Sequence, residues 1–375
     1  ANGRVYTPDI PPSNFFLTGA TGFVGAYLLQ GLLERGAEKV YCHVRAADTE
    51  AGLARLKHNL EFYALWDDTY AGRIVAVPGD LALPNLGIAQ AALDELAADV
   101  NVIYHNGAIV NFAYPYPALK AANVNGTREV LRLASREHVK PVHFISSISI
   151  LFDGDLEAGE AFLEDVDLQS LNVPFGGYGQ SKWIAEMMMF EAQRRGIPIT
   201  IFRPDNVSGD TESGIWNADN MAHTLLKASL ELGAVPDVEI VMGVVPVNFV
   251  SDAILHISAQ PESFGKAYNL TSVNQISFSV LLEMFTALGY EIDRLSFAAW
   301  KDKIYQLALD NPEAGYHAFY QLIEHIGAGS LEQVRMPRMD LTNTLKGIEG
   351  TGIGEPQLDL ELITKYIQYM NPDTE

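Results

Sequence analysis

Tyr178 and Lys182 stand four residues apart in Gly177-Tyr-Gly-Gln-Ser-Lys-Trp, where a helical pattern begins. On a helix that spacing puts both side chains on one face, about 5–6 Å apart at Cβ. An ammonium beside a phenol favours the phenolate, so Lys182 is expected to lower the Tyr178 pKa toward working pH. A tyrosine tuned this way gives a proton to a developing alkoxide, or removes one in reverse. Taken alone, the pair reads more readily as a surface tyrosine and a solvated lysine. It does not stand alone, because Phe144-Ile-Ser-Ser-Ile-Ser149 ends an apolar run with clustered hydroxyls. In doubly wound folds ligands bind at the carboxyl ends of strands, where these serines would emerge. Ser147 is the expected hydrogen-bond partner of a substrate carbonyl oxygen, with Ser146 the near alternative. A strand-end serine satisfying local backbone is the plainer reading of either.

A second constellation lies near the start of the chain. The apolar run Phe15 to Leu17 reads as a buried strand, and Gly19, Gly22 and Gly25 follow at a spacing of three. The segment from Ala26 to Arg35 is then apolar at helical period. Strand, tight glycine turn and helix form a βα unit that seats a dinucleotide pyrophosphate on a helix N-terminus. Thr18, Gly19, Thr21, Gly22, Phe23, Val24 and Gly25 are the expected cofactor contacts there. The GxxGxxG spacing, rather than GxGxxG, points to the short-chain dehydrogenase branch of nucleotide-binding folds. Arg45 lies twenty residues beyond Gly25, at the end of the second expected strand. An acid there would bond the ribose hydroxyls of NAD, whereas an arginine pairs with the 2′-phosphate of NADP. Asp48 is close by and counts against this. Arg55 could assist from the next helix or simply face solvent.

The elements that must position these residues alternate through the first 200 positions. Strands are expected at 15–18, 39–44, 73–77, 101–105, 142–146 and 198–202, and helices at 23–35, 50–65, 88–98, 117–137 and 178–195. That alternation implies a parallel sheet covered on both faces. Asp80 follows the third strand and could cap the adenine edge. His105-Asn-Gly-Ala108 follows the fourth, where small residues let a cofactor pass close to backbone. Asn123, in Asn-Val-Asn-Gly-Thr127, would open or line the helix under the site. Beyond about 205 the alternation ends. Helical patterns at 217–233, 278–288 and 300–325, an apolar strand near 240–250 and a glycine loop at 347–354 suggest a smaller, mixed second domain. The expected division is 1–204 and 205–375.

Bulk properties narrow the function classes. A net charge of −22 disfavours nucleic acid and anionic membrane surfaces. The single cysteine, Cys42, excludes an internal disulfide and reads as a core residue in a reducing compartment. No apolar run approaches a membrane span and no signal peptide is visible, so a cytoplasmic protein is expected. The chain begins Ala1-Asn-Gly, without a methionine, which suits an excised or processed piece. Seven acids and no Lys or Arg occur between Leu151 and Ser181. Asp153, Asp155, Glu157 and Glu164 have spacings similar to those of a calcium loop. Ala158 stands where the turn glycine is required, so a solvated acidic loop is expected instead. Scattered histidines without HExxH give a metal little support.

Together these residues resemble an extended short-chain dehydrogenase/reductase. More narrowly, they resemble the terminal thioester reductase domains of nonribosomal peptide and polyketide synthases and of carboxylic acid reductases. The matching pieces are Phe16-Leu-Thr-Gly-Ala-Thr-Gly-Phe-Val-Gly25, Val44-Arg-Ala46, Gly79-Asp-Leu81, His105-Asn-Gly-Ala108 and Asn123-Val-Asn-Gly-Thr127. Ser146-Ser147, Tyr178-Gly-Gln-Ser-Lys182 and Phe202-Arg-Pro204 continue the match. Leu230-Glu-Leu-Gly-Ala-Val-Pro236 and Val245-Pro-Val-Asn-Phe-Val250 are the narrower signals. The likeness runs from about residue 14 to 290 and weakens beyond. It adds Leu81, Asn106, Gly107, Ala108 and Pro204 to the expected cofactor contacts. It implies an acyl or peptidyl thioester on the phosphopantetheine arm of a carrier protein, reduced with NADPH to an aldehyde. A second hydride could then give the alcohol. Ser147 and Tyr178 would stabilise the oxyanion, and Lys182 would hold the nicotinamide ribose and lower the Tyr178 pKa. Asn123 would support a water near Lys182. Two departures stand out: Asn248 where the family usually has Asp, and Ser147 where many members have Thr. The rival readings are a sugar-nucleotide epimerase or dehydratase, a reductase of free aldehydes or ketones, and a nucleotide-sensing scaffold.

Overall fold

Side chains along a strand alternate between the two faces of its sheet, so an apolar run feeds two cores at once. The computed structural model describes residues 12–151, 161–174, 176–218, 220–238, 241–272, 276–312, 315–326, 338–354 and 358–371. Its main sheet has seven strands: β1 (Asn14–Thr18), β2 (Lys39–Val44), β3 (Ile74–Pro78), β4 (Val102–His105), β5 (Val142–Ile145), β6 (Ile199–Pro204) and β7 (Ala267–Leu270). They lie in the order β3-β2-β1-β4-β5-β6-β7, and every neighbouring pair is parallel. This is the doubly wound order, with its crevice where the winding reverses between β1 and β4. The edge strand β7 comes from beyond residue 205, so the sheet is not drawn from one continuous stretch of chain.

Phe15 and Leu17 join one core with Leu28 and Leu29 of α1 (Phe23–Glu34), while Phe16 between them joins the other. That second core gathers Leu93 and Leu96 of α2 (Gln90–Asp99), Val130 and Leu133 of α3 (Gly126–Ala134), and Ala185 and Met189 of α4 (Gly177–Arg194). Cys42 is fully buried in the first core, and burial pushes its thiol pKa far up, as suits a core residue.

Some expectations fail for identifiable reasons. The helix expected at 117–137 is three pieces: Tyr116–Leu119, a π-helical stretch Lys120–Asn125, then α3. The helix expected at 300–325 breaks into Phe297–Asp310 and Tyr316–Ile326, because Pro312 cannot continue the first. The apolar run near 240–250 divides at Pro246 into a short strand, Val244–Pro246, and the helix Val247–Ser258. The helix Leu360–Met370 is additional to the expected elements; Asp359 caps it by accepting from the Leu362 N–H at 3.0 Å.

The acidic stretch also differs. Glu164 is fully buried rather than solvated. Its carboxylate accepts from the N–H groups of Asn269 (2.9 Å), Thr344 (3.2 Å) and Asn343, and from the Thr344 hydroxyl (2.6 Å). Those donors replace water, which is what makes a buried carboxylate tolerable; burial still raises its pKa. Asp153, Asp155 and Glu157 lie outside the described residues. Beside Glu164, Arg203 is buried completely, donating through Nη1 to the Glu164 carbonyl (2.9 Å) and through Nε to Glu186 (2.9 Å), with which it forms an ion pair. Removing one partner of a buried pair strands the other charge, at a cost of about 3–5 kcal/mol. Glu186→Gln is therefore expected to lose stability of that order in urea unfolding; a loss below about 1 kcal/mol would show that Arg203 finds other partners.

Candidate active site

The crevice between β1 and β4 is built by close backbone approach. Gly19 has φ of +75°, and a Cβ there would sit 2.7 Å from the Gly107 Cα. A Cβ on Gly25 would collide with the Gly19 carbonyl, so the turn and the first helical turn must both be free of side chains. Gly22 occupies the N-cap of α1 without a side-chain cap, and the first turn carries no acid. The opening N–H groups of a helix lack intrahelical acceptors and favour an anion. The cradle thus fits a dinucleotide pyrophosphate over Gly22, Phe23 and Val24, with Thr21 and Ala108 half-buried at its sides. Asn106 Nδ2 donates to the Gly19 carbonyl at 3.3 Å and steadies the floor.

Thr18 lies beneath that floor, fully buried, and ties it to the rest of the site. Its Oγ1 accepts from the Gly107 N–H (2.8 Å) and pairs with His105 Nδ1 (2.8 Å). His105 Nε2 pairs with Thr127 Oγ1 (3.0 Å), which donates to the Asn123 carbonyl (2.6 Å). Because that carbonyl can only accept, the direction of every bond follows: Nε2–H donates to Thr127, and Thr18 donates to Nδ1. Burial, with Lys182 nearby, holds the imidazole down at about 3, so it stays neutral and keeps this tautomer.

Asn123 sits in the π-helical stretch, a feature that often re-aims one side chain at a functional site. Its Nδ2 donates to the Ile109 carbonyl (3.0 Å) and to Ser181 Oγ (2.9 Å), and its Oδ1 accepts from the Ile109 N–H (2.8 Å). Both amide hydrogens are committed, so the Asn123 amide ties the Ile109 backbone to Ser181. Ser181, which the sequence did not single out, passes the chain on to the Tyr178 carbonyl at 2.8 Å.

The two candidate serines are separated by their partners. Ser146 donates to Glu186 at 2.7 Å and is buried. Ser147 is half-buried, accepts from Ser149 Oγ at 2.9 Å and lies near enough to the Tyr178 hydroxyl to favour its ionised form. Ser147 and Tyr178 therefore share one spot, and Ser146 does not. The expected lowering of the Tyr178 pKa is corrected by its surroundings: burial drives the phenol well above its ordinary value, and the Ser147 hydroxyl only partly opposes this. Lys182 is occupied elsewhere, with Nζ donating to the Ile145 carbonyl at 2.7 Å and lying 4.9 Å over the Phe144 ring. Glu186 is a further residue the sequence did not single out. It lies four positions past Lys182 on the same helix, a spacing that could have revealed it.

Toward the adenosine end, Arg45 and Arg55 are both exposed, and Arg55 Nη1 donates to the Arg45 carbonyl at 2.9 Å. Asp48 instead caps the helix Thr49–Phe62, accepting from the Ala51 N–H at 2.8 Å. Asp80 accepts from the Ala82 N–H at 2.8 Å in its own turn, and Leu81 packs where Gly107 and Gly126 lack side chains. Pro204 closes β6, buried. Asn248 acts on local structure: Nδ2 donates to Asp210 at 2.7 Å and Oδ1 accepts from the Thr211 N–H at 2.9 Å. An aspartate there would set a second carboxylate against Asp210. Among the described residues no group of three or more His, Cys, Asp or Glu side chains could hold a metal ion, and no helix is long and apolar enough to cross a membrane.

Burial brings Lys182 down from 10.5 to about 7, with Glu186 opposing. An unfolded lysine keeps its proton to about pH 10.4. Between about pH 7 and 10 the unfolded chain thus binds the extra proton, and stability conferred at this position rises with pH. Lys182→Met, which cannot titrate, should compare best with the parent below about pH 7 and lose that advantage toward pH 10. Unfolding midpoints across this range check it; parallel curves for the two proteins would contradict it.

Residues 17–254 match the NAD-binding family described as Male sterility protein. Over 366 residues the chain is 37% identical to a linear gramicidin synthase polypeptide of Brevibacillus parabrevis, covering 96% of this chain and 7% of that protein. It is 32% identical over 384 residues to the L-2-aminoadipate reductase large subunit of Penicillium chrysogenum, covering 95% and 27%. The chain therefore spans only a small part of these relatives. The terminal R domain from the myxalamid PKS-NRPS biosynthetic pathway superposes with a TM-score of 0.90 at 37% identity, covering 97% of this chain and 92% of that one. The chain belongs to the Male sterility protein family, in the branch that holds the terminal R domains of polyketide and nonribosomal peptide synthases.

Proposed function

We propose that this site reduces an acyl or peptidyl thioester, carried on the phosphopantetheine arm of a carrier protein, to an aldehyde with NADPH. The observation that supports it most is the side-chain-free dinucleotide crevice at Gly19, Gly25 and Gly107, with buried Tyr178 and the nearby Ser147 hydroxyl on the adjoining elements. NADPH, when bound, supplies a hydride to the carbonyl carbon. Tyr178 Oη and Ser147 Oγ then donate hydrogen bonds to the carbonyl oxygen as negative charge develops on it. A phenol raised by burial keeps its proton until that oxyanion forms, which suits a donor better than a base. Hydride and one proton enter, the carbon–sulfur bond breaks, and aldehyde and free thiol leave. Lys182 is the residue we assign to the nicotinamide ribose.

The preference for NADPH over NADH rests on Arg45 just after β2, with Arg55 reaching its carbonyl from the next helix, while Asp48 is committed to its cap. The carrier partner is proposed from the relatives, one a polypeptide of a synthase and one a domain of a PKS-NRPS pathway. With a net charge of −22, long-range attraction to an acidic carrier is excluded, so docking must be local; a covalent tether would make weak docking sufficient.

The test follows NADPH oxidation and thiol release from an acyl-pantetheine thioester. One NADPH per thiol is expected for the aldehyde and two for the alcohol. Tyr178→Phe should lower kcat by about 100-fold or more, as for loss of one oxyanion donor. NADH should serve poorly, and Arg45→Ala should erode the difference. Bound NADPH with no thiol released, from either free or carrier-borne thioesters, would overturn the reading.

A further inference from the structure

Apolar side chains crowd the surface where the loop after β4 leaves the site. Ile109, Val110, Phe112 and Tyr114 are all exposed, four of the fourteen exposed large hydrophobics among the described residues, within six consecutive positions. Single exposed hydrophobics are ordinary; a contiguous set beside a reaction centre marks a surface that something covers. The loop is also held firmly. Asn123 clamps Ile109 at both N–H and carbonyl (2.8 and 3.0 Å), and Asn111 Oδ1 accepts from the N–H groups of Ala113 and Tyr114 (3.0 and 2.9 Å). The Tyr114 carbonyl packs against Gly177, where no Cβ would fit. At the inner end the Phe112 ring meets the Tyr178 ring edge-on, with centroids 5.1 Å apart. A fixed apolar wall therefore begins at the catalytic phenol and runs outward.

We infer that this wall, Val110 and Phe112 above all, binds the hydrocarbon part of the acyl group, so that the enzyme selects thioesters of extended apolar chains. The inference rests on the thioester reading, which places the reacting carbonyl oxygen on Tyr178 and Ser147. With Phe112 against the Tyr178 ring, one substituent of that carbonyl lies within reach of the wall. The carbonyl has two substituents, and they differ in what they lose there. The pantetheine arm carries amides and hydroxyls, which would give up water against Val110 and Phe112, whose side chains offer no hydrogen bond. A hydrocarbon chain gives up nothing, and each methylene it buries strengthens binding roughly fourfold at most.

The test separates this subsite from the reaction. Protein loaded with NADP⁺, which cannot deliver hydride, is titrated calorimetrically with acetyl-, hexanoyl- and decanoyl-pantetheine. Affinity is expected to rise with chain length. Phe112→Ala and Val110→Ser should each lower the decanoyl-to-acetyl affinity ratio about tenfold. Leu309→Ser, on an exposed leucine of the helix Phe297–Asp310, should leave the ratio as it is. Val110 is 62% exposed, so its replacement threatens folding least. A ratio independent of chain length, or one that Val110→Ser does not change, overturns the inference. So does an equal loss for all chain lengths with carrier-borne thioesters, which would make the wall a protein-docking face. The same series with NADPH then tests the reaction: chain-length-dependent binding without thiol release overturns the thioester reading and leaves the subsite standing.

Discussion

One run of hydrogen bonds joins the glycine turn to the helix that carries Tyr178, and the geometry of the site depends on it. It starts at the Gly107 N–H, passes through Thr18, His105 and Thr127 to the Asn123 carbonyl, and continues from the Asn123 amide through Ser181 to the Tyr178 carbonyl. Each hydroxyl along it both donates and accepts, and the neutral imidazole serves as acceptor at one nitrogen and donor at the other. Such a run has one self-consistent arrangement, so the crevice floor and the Tyr178 backbone cannot shift independently. A protonated His105 would break it, and burial prevents that.

The charged groups behind the site form a second layer with a different task. Lys182, Glu186 and Arg203 are all buried, as is Glu164 beyond them. Glu186 receives Ser146 from the strand end and Arg203 from β6, while Glu164 receives donors from the segments around Asn269 and Thr344. The layer thus ties β5, α4, β6 and the C-terminal segment into one back wall for Ser147 and Tyr178. Two cations and two carboxylates balance within the layer, although burial still disfavours the Lys182 ammonium.

The parts of this site that are legible in sequence are those set by short-range periodicity. Gly19, Gly22 and Gly25 show a turn that must lack side chains, and the spacing of Tyr178 and Lys182 shows a shared helical face. The choice between Ser146 and Ser147 is not legible, because it turns on Glu186, which arrives from another element. The direction of Lys182 is hidden for the same reason: the Ile145 carbonyl that receives it belongs to β5. Glu164 reads as solvated because its donors lie at Asn269 and Thr344, over a hundred residues away. The start of Val247–Ser258 reads as part of a strand near 240–250 because a short apolar run has no period that distinguishes strand from helix. Pro312, by contrast, is a visible signal for the helix break.

The most direct test of the account follows the hydride itself. NADPH with deuterium in place of both C4 hydrogens is mixed with excess protein and an acyl-pantetheine thioester, and the products are read by mass spectrometry. The account predicts an aldehyde with one deuterium on its carbonyl carbon and an equal amount of free pantetheine thiol. Deuterium retained on bound cofactor, beside an intact thioester, would contradict it.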